Sequence, residues 1–133
     1  MKSLKSNMTY GLQKGSLVPT CDNSGAKLIR IISVYGAKTT RGKNMQCGVG
    51  NLINASVVDG NPEMLKQVVY AVIVRQRKEY KRPDGTRIKF EDNAAVVLKD
   101  EKGNPKGTIL KGAIAKEIAE RWTAVSKLAN ILV

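Results

Sequence analysis

Residues 68–90 read VVYAVIVRQRKEYKRPDGTRIKF, and this stretch decides the fold. It begins with a continuous apolar run, which is typical of a strand inside a barrel or sandwich. A basic segment follows, and then Pro83-Asp84-Gly85, residue types that favour a tight turn. Beyond the turn, Ile88 and Phe90 alternate with basic side chains, as they would in a strand with one basic face. The stretch therefore predicts a buried strand followed by a β-ribbon with a basic face.

Short β-branched stretches separated by turn residues lie on both sides of this segment. Their regular spacing predicts a mainly β fold, and more specifically a small five-stranded closed barrel from which the ribbon projects. A β-sandwich is the alternative. The predicted strands are residues 17–18, 28–35, 49–58, 68–74 and 94–98.

The end of the chain has a different composition. Residues 113–122 place Ile114, Ile118 and Trp122 at four-residue spacing, which predicts a helix. Residues 125–132 predict another turn or two of helix. A length of 133 residues fits one compact domain. We expect an irregular arm over 1–15, the barrel and ribbon over 16–110, and the C-terminal helices over 111–133.

The charge is strongly basic and unevenly placed. The chain has 23 Lys and Arg against 11 Asp and Glu, a net charge of +12. Residues 1–58 carry a net +7 and residues 75–90 a net +5, whereas residues 91–133 carry only +1. A charge excess of this size favours a nucleic-acid partner, because phosphate contacts dominate the affinity of basic surfaces. An anionic membrane is the rival partner, but the sequence has no amphipathic basic helix or lipid signal.

We therefore predict RNA binding by the ribbon and by a second cluster in the loop that precedes residue 49. A single one of these cations is as easily a solvated surface charge, but for the group a contact is favoured. Tyr80 is predicted either to stack on a base or to cover the root of the ribbon. The candidate RNA-binding residues are Arg75, Arg77, Lys78, Lys81, Arg82, Arg87 and Lys89 in the ribbon, and Lys38, Arg41 and Lys43 in the loop.

Catalytic chemistry has little support in the sequence. The chain has no histidine, so the usual triads, an imidazole base and a conventional zinc site are excluded. Glu117 and Glu120 are expected on a helix, where Lys116 and Arg121 can balance them. We predict no enzymatic activity, no cofactor and no metal; a small nucleic-acid enzyme and a free-standing RNA-binding module are the alternatives.

With no secretory or membrane-spanning segment, we expect a cytoplasmic protein. We also expect its two cysteines to be reduced and partly buried.

Several motifs resemble one known family. Ala71-Val72-Ile73-Val74 is followed at fixed spacing by Asp84-Gly85, Phe90, Asn93 and Val96-Val97. This pattern resembles the signature of the universal large-subunit ribosomal protein number fourteen family. The stretches Cys21–Ala26, Gly107-Thr108 and 112–117 are also similar to that family, so the resemblance covers about residues 10–133. Ala113 departs from it, since the family often has Pro there.

The resemblance implies a five-stranded barrel that binds large-subunit ribosomal RNA beside other large-subunit proteins. It also implies a place on the inter-subunit face, with bridges to small-subunit ribosomal RNA. Lys14–Leu17 and Arg82–Thr86 look more like the archaeal and eukaryotic branch, in which an anti-association initiation factor docks on the C-terminal part. We therefore expect deletion of residues 123–133 to weaken factor binding and spare RNA binding. The predicted protein-partner surface is Lys116, Glu120, Trp122 and Lys127, with helix packing as the alternative for Trp122.

Overall fold

The computed structural model describes residues 8–37 and 41–133, which form eleven strands and two short helices. In chain order these are β1 (Leu12–Gln13), β2 (Leu17–Pro19), β3 (Ala26–Val34), β4 (Gln46–Cys47), β5 (Leu52–Gly60), β6 (Val68–Arg75), β7 (Tyr80–Lys81), β8 (Arg87–Ile88), β9 (Ala94–Leu98), β10 (Ala113–Ile114), α1 (Lys116–Arg121), α2 (Thr123–Ser126) and β11 (Ile131–Leu132). The fold is mainly β, as the sequence predicted.

One five-stranded sheet organises the chain. Its strands lie in the order β2-β3-β5-β6-β9, and each neighbouring pair is antiparallel. All five strands predicted from the sequence lie in this sheet. Three two-stranded pairs accompany it among the described residues: β1 with β4, β7 with β8, and β10 with β11. The described residues contain no second large sheet of the kind that a β-sandwich would need.

Residues 71–74 of β6 and all of β9 are buried on both faces, which explains their continuous apolar sequence. Val72 packs with Val96 in one core cluster, and Ile73 packs with Val97 in the other. Successive side chains of a strand point to opposite faces, so both faces must be covered to bury the whole run. One cluster is completed by side chains of β3 and β5, and the other by the C-terminal segment. Each fully buried Val or Ile side chain contributes about 2 kcal/mol to stability.

Closure of this sheet into a barrel was predicted but is not confirmed. Its edge strands β2 and β9 approach each other, and Thr20 forms an isolated parallel bridge with Ala95. The Cys21 amide N–H also donates to the Ala95 carbonyl at 3.1 Å. No continuous ladder joins the two edges within the described residues. The five strands of the predicted barrel are therefore present, with a single bridge where the barrel would close.

Side chains in the stretch Cys21–Ala26 form hydrogen bonds with two distant segments of the chain. The Asp22 carboxylate is buried and accepts the Val97 amide N–H at 3.0 Å. Asn23 Oδ1 accepts the amide N–H groups of Thr108 at 2.7 Å and Ile109 at 3.2 Å. These bonds satisfy backbone donors of β9 and of the segment that leads to the tail. Two of the motifs that carry the family resemblance are thus explained by their contact with each other.

The N-terminal arm is more regular than predicted. Residues 1–7 lie outside the described part of the chain, but Leu12–Gln13 form β1, which pairs with β4. Leu12 is buried in the core while Gln13 is exposed. Two residues are too few to produce a readable alternation, so the sequence did not distinguish this strand from the irregular arm.

The C-terminal tail contains less helix than predicted. Helices α1 and α2 are short, and strands β10 and β11 pair in parallel at the two ends of the tail. Of the three residues at helical spacing, Ile118 lies in α1, Ile114 lies in β10 and Trp122 lies between the two helices, and all three are buried. Neither helix is long and apolar enough to cross a membrane.

Both cysteines are free, as expected, and they are more completely buried than predicted. Cys21 belongs to one core cluster and Cys47 to the other, so they are separate structural side chains. Burial raises the pKa of the Cys21 thiol to about 11 and that of Cys47 to about 12. Because the thiolate is the reactive form, neither side chain is suited to redox or nucleophilic chemistry near neutral pH.

Candidate nucleic-acid interface

The predicted β-ribbon is present, although its two strands are short. Tyr80 pairs with Ile88 and Lys81 with Arg87. The Gly85 amide N–H donates to the Arg82 carbonyl at 2.9 Å, and Gly85 has a φ of +96°, which glycine adopts without strain. The Asp84 carboxylate accepts the Thr86 amide N–H at 2.9 Å. The bonds to Thr86 lower the pKa of Asp84, so the turn carries a fixed negative charge between the two strands.

Five of the seven ribbon cations are exposed, and they outnumber the acids beside them. The predicted alternation is confirmed, since Ile88 and Phe90 pack against the core whereas Arg87 and Lys89 face solvent. The one ion pair on this exposed face joins Arg87 Nε to Glu79 Oε1 at 3.7 Å, and its side chains are 65% and 46% exposed. Such an exposed pair contributes less than about 1 kcal/mol, so a phosphate competes with it readily. The five exposed cations are Arg77, Lys78, Lys81, Arg87 and Lys89.

Arg75, a predicted RNA-binding residue, is instead used inside the molecule. Its Nε lies 3.0 Å from Asp92 Oδ1, and its Nη1 donates to the carbonyls of Lys111 and Ala113 at 3.0 Å each. A Cβ atom on Gly112 would lie 2.5 Å from Nη1, so a larger residue there would displace this guanidinium. The Arg75 side chain is 13% exposed. Its role in the structure is to fasten the tail to the end of β6.

Arg82 likewise binds other parts of the chain, namely α1 and the C-terminal residue. Its Nε lies 2.9 Å from Glu117 Oε1, and an Nη2 N–H donates to the Val133 carbonyl. The Tyr80 hydroxyl donates to Glu117 Oε2 at 3.1 Å, and the side chain of Tyr80 is fully buried. Tyr80 therefore covers the root of the ribbon, which was one of the two roles predicted for it.

Glu117 lies on α1, as expected, but its ion pair is with Arg82 and not with Lys116 or Arg121. Its side chain is 9% exposed and binds both Arg82 and Tyr80 across the gap between helix and ribbon. Burial alone would lower the pKa of Arg82, but the bonds to Glu117 and Tyr80 outweigh it and raise that pKa. Burial raises the pKa of Tyr80 to about 12. The role of this carboxylate was not predicted, because helical spacing alone does not show which residues another element covers.

A second missed residue, Gln76, fixes the base of the ribbon. It is fully buried, and its amide Nε2 donates to the carbonyls of Thr9 at 2.8 Å and Lys78 at 2.9 Å. Its Oε1 accepts the Val49 amide N–H at 3.0 Å. Both polar atoms of the Gln76 side chain form hydrogen bonds, so its burial leaves no polar atom unsatisfied. Its position among five basic residues gave no sequence signal of burial.

The second predicted cluster lies beside an open groove. Arg41 and Lys43 are exposed, whereas Lys38 lies outside the described residues. The groove has a volume of about 700 Å³, and Lys43 lines it together with the partly exposed rings of Tyr10 and Tyr35. The two predicted clusters thus both present cations to solvent.

The predicted protein-partner surface needs one correction. Lys116, Glu120 and Lys127 are exposed on the tail, as that prediction requires. Trp122 is only 2% exposed, and its indole Nε1 donates to the Gly50 carbonyl at 2.8 Å. Trp122 is therefore a core residue, which was the alternative for it. Among the described residues no group of three or more acids or cysteines is placed to hold a metal ion.

Comparison with known proteins agrees with the family resemblance. The model of the family described as ribosomal protein L14p/L23e matches residues 11–133. The large ribosomal subunit protein uL14 of Haloarcula marismortui is 50% identical over 133 residues, which is all of both chains. The proteins of that name from Nanoarchaeum equitans and Methanococcus vannielii are 47% identical over 100% of both chains and 49% identical over 99% of both. The chain therefore belongs to the ribosomal protein L14p/L23e family, in its archaeal-type branch.

Proposed function

We propose that this chain is a structural constituent of the large ribosomal subunit and binds large-subunit ribosomal RNA through its β-ribbon. The observation that carries the RNA-binding proposal is the set of five exposed ribbon cations with only one weak ion pair among them. Because the buried bonds of Gln76 and Arg82 fix the root of the ribbon, the cations are displayed on a rigid element. Rigid display reduces the entropy cost of binding a fixed RNA surface.

The proposed contacts recognise RNA shape and backbone. The major groove of A-form RNA is too narrow for side chains to read, so a basic ribbon meets phosphates and ribose hydroxyls. Arg77 and Lys78 lie before β7, and Lys81, Arg87 and Lys89 lie on or beside the paired strands. Arg41 and Lys43 supply a second group of cations for the same RNA.

The proposed role is structural and not enzymatic, in line with the family. As a ribosomal constituent the chain would work in the cytoplasm, within the large subunit. The test is sedimentation of a tagged copy from its own host through a sucrose gradient after a high-salt wash. We expect one copy per large subunit and none in free small subunits. A salt-labile or substoichiometric signal would favour a free-standing RNA-binding module.

We further propose that the chain lies on the inter-subunit face, beside other large-subunit proteins, and contacts small-subunit ribosomal RNA there. The family resemblance supports this placement. We also propose that the chain is a single domain whose sheet closes into the family's barrel. The Thr20–Ala95 bridge between the two edge strands supports that closure.

An anti-association initiation factor is the partner that we propose for the tail, through Lys116, Glu120 and Lys127. Deletion of residues 123–133 is a poor test of this surface. It would remove Val125, which is fully buried, and the Val133 carbonyl that Arg82 binds. Charge reversal of the three exposed residues leaves the core intact and is the better experiment.

The variant Lys116→Glu/Glu120→Lys/Lys127→Glu is expected to weaken factor binding to isolated large subunits by about tenfold or more. Reversed charges across an interface replace attraction by repulsion. Incorporation of the variant into large subunits is expected to stay at the wild-type level, because these residues lie outside both basic clusters. Binding is measured by co-sedimentation of the factor with salt-washed subunits. Unchanged factor binding in subunits that contain the variant would refute the tail surface.

A further inference from the structure

Arg121 is a partly buried cation without a partner in the described part of the chain. Its guanidinium carbon lies 5.7 Å from the centre of the Trp122 ring, and its Nε is buried and makes no hydrogen bond. The buried Nε of Arg75 also lacks a well-aligned hydrogen bond, but it lies 3.0 Å from the Asp92 carboxylate. Every Asp and Glu of the sequence lies in the described residues, and none forms an ion pair with Arg121.

An unpaired cation in such a place is costly. Burial lowers the pKa of the Arg121 guanidinium below its ordinary value, and the Tyr10 phenol is its electrostatic neighbour. The other two partly buried arginines among the described residues, Arg75 and Arg82, are each paired with a carboxylate. A buried charge normally has a counter-charge. The missing counter-charge for Arg121 therefore points to an anion from outside the chain.

Tyr10 connects Arg121 with the groove described above. A Cβ atom on Gly48 would lie 3.2 Å from Tyr10 Cδ1, so the Tyr10 ring sits over this glycine. Trp122, on which Arg121 stacks, donates to the carbonyl of nearby Gly50. Tyr10 also lines the groove, together with Tyr35. Arg121 and the groove thus share Tyr10 as a neighbour.

The groove has the chemistry of a nucleotide site. Its described lining contains exposed tyrosines, amide side chains and one lysine, and it contains no acid. Aromatic rings stack on any base, and amide groups donate to and accept from base edges. A volume of about 700 Å³ is within the range of small-ligand sites. The residues that the proposal uses are Tyr10, Tyr35, Lys43, Asn44, Gln46 and Arg121.

We propose that Arg121 and this groove bind one unpaired nucleotide of RNA, with a phosphate at the Arg121 guanidinium and the base against Tyr10 or Tyr35. The proposal rests on the proposed RNA-binding function and extends it to a second kind of contact. The ribbon would hold helical RNA by its phosphates, whereas the groove accepts a base that has left a helix. An acidic protein segment is the other anion to consider, but it would leave the aromatic and amide lining unused.

The test compares two matched variants of the full-length protein, Arg121→Met and Lys99→Met. Both remove one positive charge, and methionine keeps an apolar stem over Trp122. Lys99 is exposed, and within the described residues it makes no side-chain bond and does not line the groove. The probes are a fluorescent single-stranded adenylate RNA of about twelve nucleotides, an RNA duplex of the same length, and a glutamate-rich peptide.

We expect Arg121→Met to weaken single-strand binding about tenfold and to lower its salt slope by about 0.7, the value for one phosphate contact. Duplex binding should change less than about twofold, and Lys99→Met should change either affinity less than about twofold. Tyr10→Leu should weaken single-strand binding by a similar factor of about ten, because one stacking contact is lost. The thermal midpoint of Arg121→Met should stay equal or rise, since an unpaired, partly buried charge has been removed.

Failure of the inference and failure of the proposed function give different results. If the wild-type protein binds neither RNA, the proposed function is refuted and the inference with it. If it binds duplex RNA but Arg121→Met matches Lys99→Met on the single strand, the inference alone is overturned. A lower thermal midpoint for Arg121→Met would assign Arg121 a structural role and also overturn it. Loss of peptide binding without loss of RNA binding would replace the nucleotide by a protein segment.

Discussion

Glu117→Gln is expected to lower the free energy of unfolding by about 3 kcal/mol, because it removes one partner of a nearly buried ion pair. The substitution keeps the size of the side chain but leaves the Arg82 guanidinium, which is 12% exposed, without its counter-charge. The Tyr80 hydroxyl also loses a charged acceptor. Both effects fall on the contact between the ribbon and α1, so the variant should loosen the ribbon as well as destabilise the fold.

Urea unfolding monitored by tryptophan fluorescence measures this loss directly. Trp122 is the single tryptophan of the chain and follows α1 in sequence, so its signal reports on this region. The control is Glu120→Gln, which makes the same change of charge three residues away on an exposed side chain. We expect the control to change stability by less than about 0.5 kcal/mol. Equal, small effects of the two substitutions would mean that the Glu117 network does not hold the ribbon.

Neutralising four ribbon cations together is expected to have the largest effect on RNA binding. The variant Lys78→Gln/Lys81→Gln/Arg87→Gln/Lys89→Gln removes four of the exposed charges on the ribbon. Each phosphate contact contributes about 0.9 to the slope of log affinity against log salt for duplex nucleic acid. We therefore expect the slope to fall by about 3 to 4, and the affinity at about 0.1 M salt to fall by about a hundredfold or more.

The matched control for this variant is Lys27→Gln/Lys66→Gln/Lys99→Gln/Lys102→Gln. These four lysines are also exposed, so the net charge falls by the same amount without any change in the ribbon. Binding of both proteins to a large-subunit ribosomal RNA transcript is measured by fluorescence anisotropy over a series of salt concentrations. If the two variants lose affinity equally, net charge governs binding and the ribbon has no special role.

The strands were predictable because their apolar residues carry the pattern that burial requires. Residues 71–74 had to be covered on both sides, and alternation after Gly85 separated Ile88 from its basic neighbours. Such local patterns depend on the period of a strand alone. Turn chemistry at Pro83-Asp84-Gly85 was equally local, and the structure has the turn there.

The contacts of individual charged side chains could not be predicted in the same way. Arg82 and Lys81 look alike in sequence, but only Arg82 meets a carboxylate, 35 residues further along the chain. Whether a cation is free for RNA depends on which distant element packs beside it. The same holds for Trp122, whose partner is the Gly50 carbonyl, 72 residues away. Long-range pairing of this kind leaves no trace in spacing or composition.

The Glu117 network joins the two proposed surfaces of the molecule. Arg82 and Tyr80 belong to the ribbon, and Glu117 lies on the helix that also carries Lys116 and Glu120. One buried carboxylate, that of Glu117, therefore fixes the ribbon of the proposed RNA contact against the helix of the proposed protein contact. A variant that breaks this network should affect both surfaces, whereas the surface variants should each affect one.

Incorporation into ribosomes in living cells tests the central claim most directly. Tagged wild-type protein, the four-substitution ribbon variant and its matched control are each expressed in the host, and the tag is quantified across a high-salt sucrose gradient. We predict near-stoichiometric wild-type and control protein in large subunits, with the ribbon variant strongly depleted there and shifted to slow-sedimenting fractions. Equal incorporation of the ribbon variant would contradict the claim that the ribbon fastens this chain to ribosomal RNA.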